Sequence, residues 1–172
     1  TPDWLVVATS YSGNTEETLS ACEQAMNQDA TIVVISSGGI LAGMCELSDS
    51  MYLISCPGGQ PPRSAFGHIF SRQLSLMSEI GIANVEITDE ALIRLQQAAD
   101  DSDIITHPEG DVSSLALNMM ENPIAILGPN ELMPAINRFK NQLNENSARF
   151  ARIGAFPEMS HNEAVAWGGV GE

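Results

Sequence analysis

The first third of the chain alternates between short apolar runs and longer amphipathic segments. The apolar runs are rich in β-branched residues, which is typical of strands buried on both faces of a sheet. The amphipathic segments repeat their apolar residues at the spacing of a helix. Strands and helices in this alternation predict an α/β fold of the flavodoxin-like or Rossmann-like kind, a parallel sheet sandwiched by helices. The five predicted elements are residues 4–10, 15–28, 30–36, 40–47 and 51–55.

The rest of the chain predicts more helix than strand. Pro61 and Pro62 open a long helix that runs to about residue 80, and the acidic stretch at residues 100–111 predicts a linker. A second α/β unit begins after that stretch, and its pattern weakens before the unit is complete. The sequence therefore predicts two domains, at residues 1–100 and 111–172. The remaining predicted elements are helices at 89–99, 112–120 and 132–144, a strand at 123–127 and a turn at 128–130.

Acidic residues dominate the charge of the chain. There are 22 Asp and Glu residues against seven Lys and Arg, which gives a formal net charge of −15. Such a charge repels polyanions and therefore argues against nucleic acid and anionic membranes as partners. Four of the cations fall close together, and two interpretations stay open: a solvated helix surface, or a positive field over a phosphate site. These four are Arg138, Lys140, Arg149 and Arg152.

The cysteines and the chain ends bear on the cellular setting. Cys22, Cys45 and Cys56 are odd in number and lack the pairing of metal ligands, which indicates buried or free thiols in a reducing cytoplasm. The sequence contains no apolar run of membrane-spanning length and no pattern of a secretory leader. Because the chain opens without Met, almost directly in a strand, we expect a fragment of a longer protein.

The clearest chemical signal is a hydroxyl-rich loop between the first predicted strand and the first predicted helix. From Ser10 to Thr15 it reads Ser-Tyr-Ser-Gly-Asn-Thr. Ligands of parallel sheets bind where strands end, and a helix start there offers unpaired N–H groups and the positive end of its dipole. The hydroxyls of Ser10, Ser12 and Thr15 can donate to phosphate oxygens, and Gly13 lets the backbone approach a ligand. The loop therefore predicts a phosphate site.

Ordinary helix capping is the alternative interpretation of this loop. Asn14 would then be the N-cap of the following helix, and Glu17 would close a capping box. Capping alone does not require three hydroxyls and a glycine, so the phosphate site is favoured.

Four motifs, in their order along the chain, resemble those of one enzyme family. The hydroxyl-rich loop resembles the phosphate loop of SIS (sugar isomerase) domains. Pro-Pro-Arg at 61–63, Asn-Glu-Asn at 144–146 and Pro-Glu-Met-Ser-His-Asn-Glu at 157–163 resemble the bifunctional phosphoglucose/phosphomannose isomerases. The resemblance covers essentially the whole chain. It implies two incomplete SIS units, with a glycine-rich strand before residue 1 and a lysine-bearing helix after residue 172.

The family resemblance implies an aldose–ketose isomerase of glucose 6-phosphate, with mannose 6-phosphate as an open second substrate. Ser10, Ser12, Gly13, Asn14 and Thr15 would bind the phosphate of the hexose. The resemblance also implies a cytoplasmic homodimer of glycolysis and gluconeogenesis that needs no metal or redox cofactor, and a fragment that is inactive alone.

Three further residues receive catalytic roles from the resemblance. Glu145 matches the base that moves a proton between C1 and C2, and His161 matches a histidine that assists ring opening from the neighbouring subunit. Arg63 matches the arginine beside the enediolate intermediate. The chemistry fits, because isomerisation needs a base, a group that exchanges protons near neutral pH, and a cation beside the developing charge. Without the resemblance, the three residues read as a solvated helix-end acid, a structural histidine in a turn-like stretch and a surface arginine.

Two other functions remain open from the sequence. A non-catalytic phosphosugar sensor would need the phosphate loop but neither Glu145 nor His161. An amido-sugar enzyme module would share the phosphate loop but lack the Asn-Glu-Asn and His-Asn-Glu motifs.

Overall fold

The computed structural model describes residues 4–168, with the side chains of Asn162, Ala164 and Trp167 left out. The chain divides into two compact units, Thr1–Glu86 and Ile87–Glu172. In the described part of the chain, no helix combines the length and the apolar character needed to cross a bilayer.

The first unit is a parallel sheet with the predicted alternation of strands and helices. The strands pair in the order β1-β2-β3, with Val7 opposite Val33 and Val34 opposite Leu53. The α/β prediction is therefore confirmed, and its boundaries hold to within a few residues. The elements are β1 Leu5–Thr9, α1 Glu16–Met26, β2 Thr31–Ser36, α2 Gly39–Glu46 and β3 Met51–Ser55.

The middle strand, β2, carries the core of the first unit on both faces. On one face, Ile32 and Val34 pack with Cys22 of α1 and Leu41 of α2. On the other face, Ile35 lies in a second buried cluster. This burial explains why the apolar run of β2 is continuous rather than alternating. The members of the second cluster are Tyr11, Ile35, Cys56 and Ala65.

The long helix predicted from Pro61 is interrupted near its start. Pro62–Ser64 forms a 3₁₀ turn, and the α-helix α3 follows at Phe66–Glu79. The interruption lets Ala65, between the two, point into the second buried cluster of the first unit.

The second unit pairs two parallel strands, with Ile126 opposite Ile153. The helices and the first strand follow the prediction, although that strand continues through the predicted turn as far as Pro129. The sequence pattern weakens after residue 147, and the prediction missed a strand and a helix there. The turn-like environment expected for His161 is therefore wrong, because His161 lies in that helix. The elements are α4 Asp89–Asp101, α5 Asp111–Glu121, β4 Ile124–Pro129, a 3₁₀ turn at Asn130–Leu132, α6 Met133–Ser147, β5 Ala151–Phe156 and α7 Glu158–Gly168.

The boundary between the compact units lies before α4, at residues 86 and 87. The assignment of residues 1–100 and 111–172 to two SIS units stays a prediction.

Candidate functional site

The hydroxyl-rich loop, residues 10–15, lies at the carboxyl edge of the first sheet. We call it the first loop. The segment at residues 36–39, called the second loop, leaves β2 at the same edge, because β1 and β2 are parallel and in register. Ligands of such sheets bind at this edge, which agrees with the place expected for a phosphate site.

Hydrogen bonds inside the first loop draw its hydroxyls together. The Oγ of Ser10 and the Oγ1 of Thr15 are 2.8 Å apart, and the backbone N–H of Gly13 donates to Ser10 Oγ at 3.2 Å. The N–H of Asn14 donates to Ser12 Oγ at 3.3 Å. Ser10 is buried, whereas Ser12 and Thr15 are exposed. Two of the three predicted hydroxyl-bearing residues are therefore exposed, and the hydroxyl of the buried third, Ser10, bonds to that of Thr15.

The capping alternative for the first loop is wrong. Thr15 is the N-cap of α1, and its side chain makes no capping hydrogen bond. The Oδ1 of Asn14 accepts instead from the backbone N–H of Ile40, at 3.0 Å, in the first turn of α2. The side chains of the loop therefore do not cap the helix that follows it.

The close approach of the second loop requires a glycine at position 13. The φ of Gly13 is +68°, and a Cβ placed there would lie 1.8 Å from the carbonyl oxygen of Gly38. The close approach of two backbone segments is therefore sufficient to require this glycine, and its predicted approach to a ligand stays a prediction.

Gly13→Ala is expected to lower the free energy of unfolding by about 2–5 kcal/mol. The positive φ accounts for about 1–2 kcal/mol and the overlap with Gly38 for about 1–3 kcal/mol. Gly43→Ala is the matched control, because Gly43 lies within α2 and its added Cβ meets nothing within 4 Å. Urea unfolding measures the free energy of unfolding of both variants. Equal stability of the two would show that the contact between Gly13 and Gly38 is not a close one.

The second loop holds the first loop through one carbonyl group. Tyr11 O accepts from the backbone N–H of Ser37 at 2.9 Å, from Ser37 Oγ at 2.6 Å and from Ser36 Oγ at 3.3 Å. The hydroxyl of Tyr11 donates to Pro57 O at 2.8 Å, after β3. Sequence reasoning missed this role of the second loop. Its Ser-Ser-Gly-Gly sequence directly after a buried strand was the available signal.

Arg63 belongs to a segment that is anchored beside the first loop. It lies in the exposed 3₁₀ turn, and Ala65, two residues later, is fully buried in the cluster that contains Tyr11. The backbone that carries Arg63 is therefore fixed relative to the first loop.

Glu145 and His161 lie in the second unit. Glu145 is exposed in the last turn of α6, as its motif at a helix end predicts. His161 is exposed in the first half of α7. The predicted site residues are thus divided, with the phosphate loop and Arg63 on the first unit and these two residues on the second.

Two of the four clustered cations are engaged within the second unit. The Nη2 of Arg149 donates to the carbonyl oxygens of Met119 and Asn122, at 2.6 and 3.0 Å, where α5 ends. The Nη2 of Arg152 lies 2.5 Å from Oε1 of Glu163 on α7. These contacts favour the structural interpretation of Arg149 and Arg152 over a phosphate-binding field.

A half-open apolar cavity of about 390 Å³ lies against α5 and α6 in the second unit. Leu143 and Ser147 line it, and Glu145 is two residues from each. Two residues correspond to about 200° around a helix, so Glu145 points away from this cavity. The cavity therefore contains none of the predicted site residues.

The cysteines are free thiols in the first unit, and Cys22 and Cys56 are buried. Burial, with a smaller contribution from nearby Cys45, raises the pKa of Cys22 above its ordinary value of 9.0. Burial also raises the pKa of Cys45. Thiols whose ionisation is suppressed are poor nucleophiles, so neither is a candidate for covalent catalysis.

These two thiols should make stability depend on alkaline pH. Folded Cys22 and Cys45 keep their protons where unfolded thiols lose them, so their contribution is complete below the unfolded pKa. The free energy of unfolding is expected to fall as pH rises above about 9. Urea unfolding at pH 7.5 and 9.5 measures the free energy of unfolding of the wild type and of the double variant Cys22→Ala/Cys45→Ala, which lacks both thiols. The same pH dependence in both proteins would contradict the assignment.

Among the described residues, no group of three or more His, Cys, Asp or Glu side chains could hold a metal ion.

Comparison with known proteins places these features in a family. Residues 109–172 match the model of the bacterial phospho-glucose isomerase C-terminal SIS domain. Over 169 residues, the chain is 35% identical to the bifunctional phosphoglucose/phosphomannose isomerase of Caldicellulosiruptor bescii, covering 94% of this chain and 48% of that protein. Over almost its whole length, the chain is related to the bifunctional phosphoglucose/phosphomannose isomerases. The resemblance carried by the four sequence motifs is thereby confirmed.

A second relative of similar identity has a different activity in its name. The chain is 33% identical over 159 residues to the D-glucosamine-6-phosphate 4-epimerase of Sulfolobus acidocaldarius, covering 92% of this chain and 49% of that protein. The chain thus spans about half the length of the curated relatives it matches.

The fold is shared with a solved structure. The tagatose-6-phosphate ketose/aldose isomerase of Escherichia coli superposes with a TM-score of 0.62 at 18% identity, covering 93% of this chain and 44% of that chain. At this identity the likeness concerns the fold, and it supports the SIS-type arrangement expected from the first loop.

Proposed function

We propose that the protein containing this chain is a sugar-phosphate aldose–ketose isomerase, which converts glucose 6-phosphate, and also mannose 6-phosphate, to fructose 6-phosphate. The observation that carries the proposal is the first loop. It presents the exposed residues Ser12 and Thr15, each with a hydroxyl group, at the carboxyl edge of a parallel sheet, where ligands bind. The relative from Caldicellulosiruptor bescii, at 35% identity, is a bifunctional phosphoglucose/phosphomannose isomerase.

The first loop would hold the phosphate of the hexose. Ser10, Ser12 and Thr15 are assigned as its hydroxyl donors, and Gly13 and Asn14 belong to the loop that presents them. Hydroxyl donors and the N-terminal amides of α1 stabilise an anion without a lysine, which suits a chain with so few cations. With its phosphate fixed, the sugar is held in one orientation relative to the catalytic groups, and this lowers the entropic part of the barrier.

Three side chains would carry the chemistry. His161 assists opening of the sugar ring, and in a homodimer it reaches the site from the neighbouring subunit. Glu145 then removes the proton from C2 of the open-chain aldose, and the electron pair shifts towards O1 to give the enediolate. Arg63 stabilises that negative charge. The hydroxyl proton on O2 then passes to O1, and return of the abstracted proton to C1 yields the ketose. Proton and electron pair are conserved, so the reaction consumes no oxidant or reductant.

A second candidate reaction comes from the relative at 33% identity, which is a D-glucosamine-6-phosphate 4-epimerase. That reaction changes C4 rather than C1 and C2, so product analysis separates the two activities. The isomerase is favoured because the three assigned side chains supply the groups that proton transfer between C1 and C2 needs.

We also propose that the enzyme is cytoplasmic.

Isomerisation in D₂O tests the proposal on the intact protein. We expect glucose 6-phosphate to give fructose 6-phosphate that carries deuterium at C1, with EDTA present throughout. Epimerisation of glucosamine 6-phosphate at C4 without isomerisation of glucose 6-phosphate would replace the proposal by the second reaction. Binding of phosphosugars without turnover would establish the sensor. The 172-residue chain assayed alone is expected to show little turnover.

A further inference from the structure

The side chain of Asn14 bonds to a residue outside the first loop, whereas the hydroxyls of Ser10, Ser12 and Thr15 bond within it. Its Oδ1 already accepts a hydrogen bond from the backbone N–H of Ile40, at 3.0 Å, 26 residues further along the chain. Ile40 lies in the first turn of α2, where N–H groups have no partner within the helix. Asn14 therefore caps a helix that follows the next strand rather than its own.

Two glycines permit this contact between the loops. A Cβ at Gly39 would lie 2.2 Å from Ser12 O and 2.7 Å from Asn14 Oδ1, and a Cβ at Gly13 would overlap Gly38 O. Beside them, the N–H of Leu41 donates to Gly13 O at 3.0 Å. Two backbone N–H groups in the first turn of α2 thus donate hydrogen bonds to the first loop.

Different groups of the first loop therefore have different roles. The backbone N–H groups of Ile40 and Leu41 hold the loop against α2, while Ser12 and Thr15 are exposed residues whose hydroxyls bond within the loop. Fastening the backbone on both sides of Gly13 fixes the directions in which those hydroxyls point.

We propose that Asn14 is a positioning residue, which shapes the phosphate loop through its bond to Ile40 and does not itself bind the phosphate. The inference rests on the proposed function, in which the first loop binds the phosphate of the substrate. It predicts that Asn14 affects phosphate affinity only as far as its bond to Ile40 does.

A double-mutant cycle on the intact protein tests this inference. Asn14→Ala removes the acceptor, and Ile40→Pro removes the donor at a helix position that tolerates proline. Each is expected to weaken binding of glucose 6-phosphate about fivefold to tenfold, in line with the loss of a helix cap. The double variant is expected to bind no more weakly than either single variant, because both remove the same bond. Losses that multiply in the double variant would overturn the inference.

Inorganic phosphate provides a second readout. Its inhibition constant is expected to rise by the same factor as the dissociation constant of glucose 6-phosphate, because the loop acts on the phosphate group. Thr88→Ala is the matched control, since Thr88 Oγ1 accepts from Ala91 N at 3.2 Å and caps α4 in the second unit. We expect this control to leave both constants unchanged. An equal loss in the control would show that any weakened cap lowers affinity, and the inference would fail.

Asn14→Asp covers the case in which Ile40→Pro does not fold. Aspartate keeps the accepting oxygen, so it is expected to restore the unfolding midpoint that Asn14→Ala lowers. A midpoint that stays at the alanine value would show that Asn14 does not act through this bond. If the wild-type protein binds neither glucose 6-phosphate nor inorganic phosphate, the proposed function fails with the inference. If it binds them and the cycle is additive, only the inference fails.

Discussion

Glu145→Gln is expected to lower the turnover of the intact protein at least about a hundredfold, because a positioned general base contributes about 10²–10⁴ in rate. Glutamine keeps the shape of the side chain and its place in the last turn of α6, but it cannot accept the proton from C2. Since Glu145 is exposed in its unit, the substitution removes no packing there. The expected loss therefore lies in kcat, and KM should change little.

Glu131→Gln is the control for this substitution. Glu131 is also an exposed acid of the second unit, in the 3₁₀ turn before α6. A coupled assay for fructose 6-phosphate measures kcat and KM of the two variants and the wild type. If Glu145→Gln turns over at nearly the wild-type rate, the base is another residue, although phosphate binding by the first loop would be unaffected.

The sheet of the first unit could be predicted because its signal is local. Five consecutive residues of β2, from Ile32 to Ser36, are buried, so the strand shows as an unbroken apolar run flanked by amphipathic helices. The hydroxyl-rich loop was visible for the same reason, since its chemistry lies within six consecutive residues. Each of these features can be recognised without knowing what contacts it.

The strand β5 was missed because its sequence is determined by distant contacts. Arg152 and Gly154 interrupt the apolar run. Arg152 pairs with Glu163 of α7. Gly154 lets that helix lie close, because a Cβ there would come within 3.1 Å of Leu127 and 3.3 Å of Glu163. A pattern of apolar residues cannot reveal a charge and a glycine whose partners lie elsewhere in the chain.

The same limit applies to the candidate site. Sequence reasoning identified the hydroxyls of the first loop but missed the contacts of Gly13 with Gly38 and of Asn14 with Ile40, because both partners come from the next crossover. The roles of Glu145, His161 and Arg63 rest on family motifs, and their local environments alone would not have distinguished them from surface residues.

Removing both exposed hydroxyls of the first loop is expected to weaken phosphosugar binding greatly. Hydrogen bonds to charged groups contribute roughly 1.5–3 kcal/mol each, so Ser12→Ala/Thr15→Ala should raise the dissociation constant for glucose 6-phosphate about a hundredfold or more. Because Ser12 and Thr15 are both exposed, the substitutions create no cavity in the core. The loss should fall on affinity for the phosphate, and it should appear equally with inorganic phosphate.

The fold of the double variant needs its own measurement, although the side chain of Thr15 makes no capping bond at the start of α1. Thr15→Ala also takes one partner from the buried Ser10 Oγ, which keeps the N–H of Gly13. We therefore expect a small fall in the unfolding midpoint and a folded protein at 25 °C. Ser20→Ala/Ser48→Ala removes two hydroxyls outside the loop and should bind as the wild type does. Calorimetry on a folded Ser12→Ala/Thr15→Ala protein decides the matter. Unchanged affinity would mean that the phosphate lies elsewhere, and both the isomerase and the sensor would lose their common binding site.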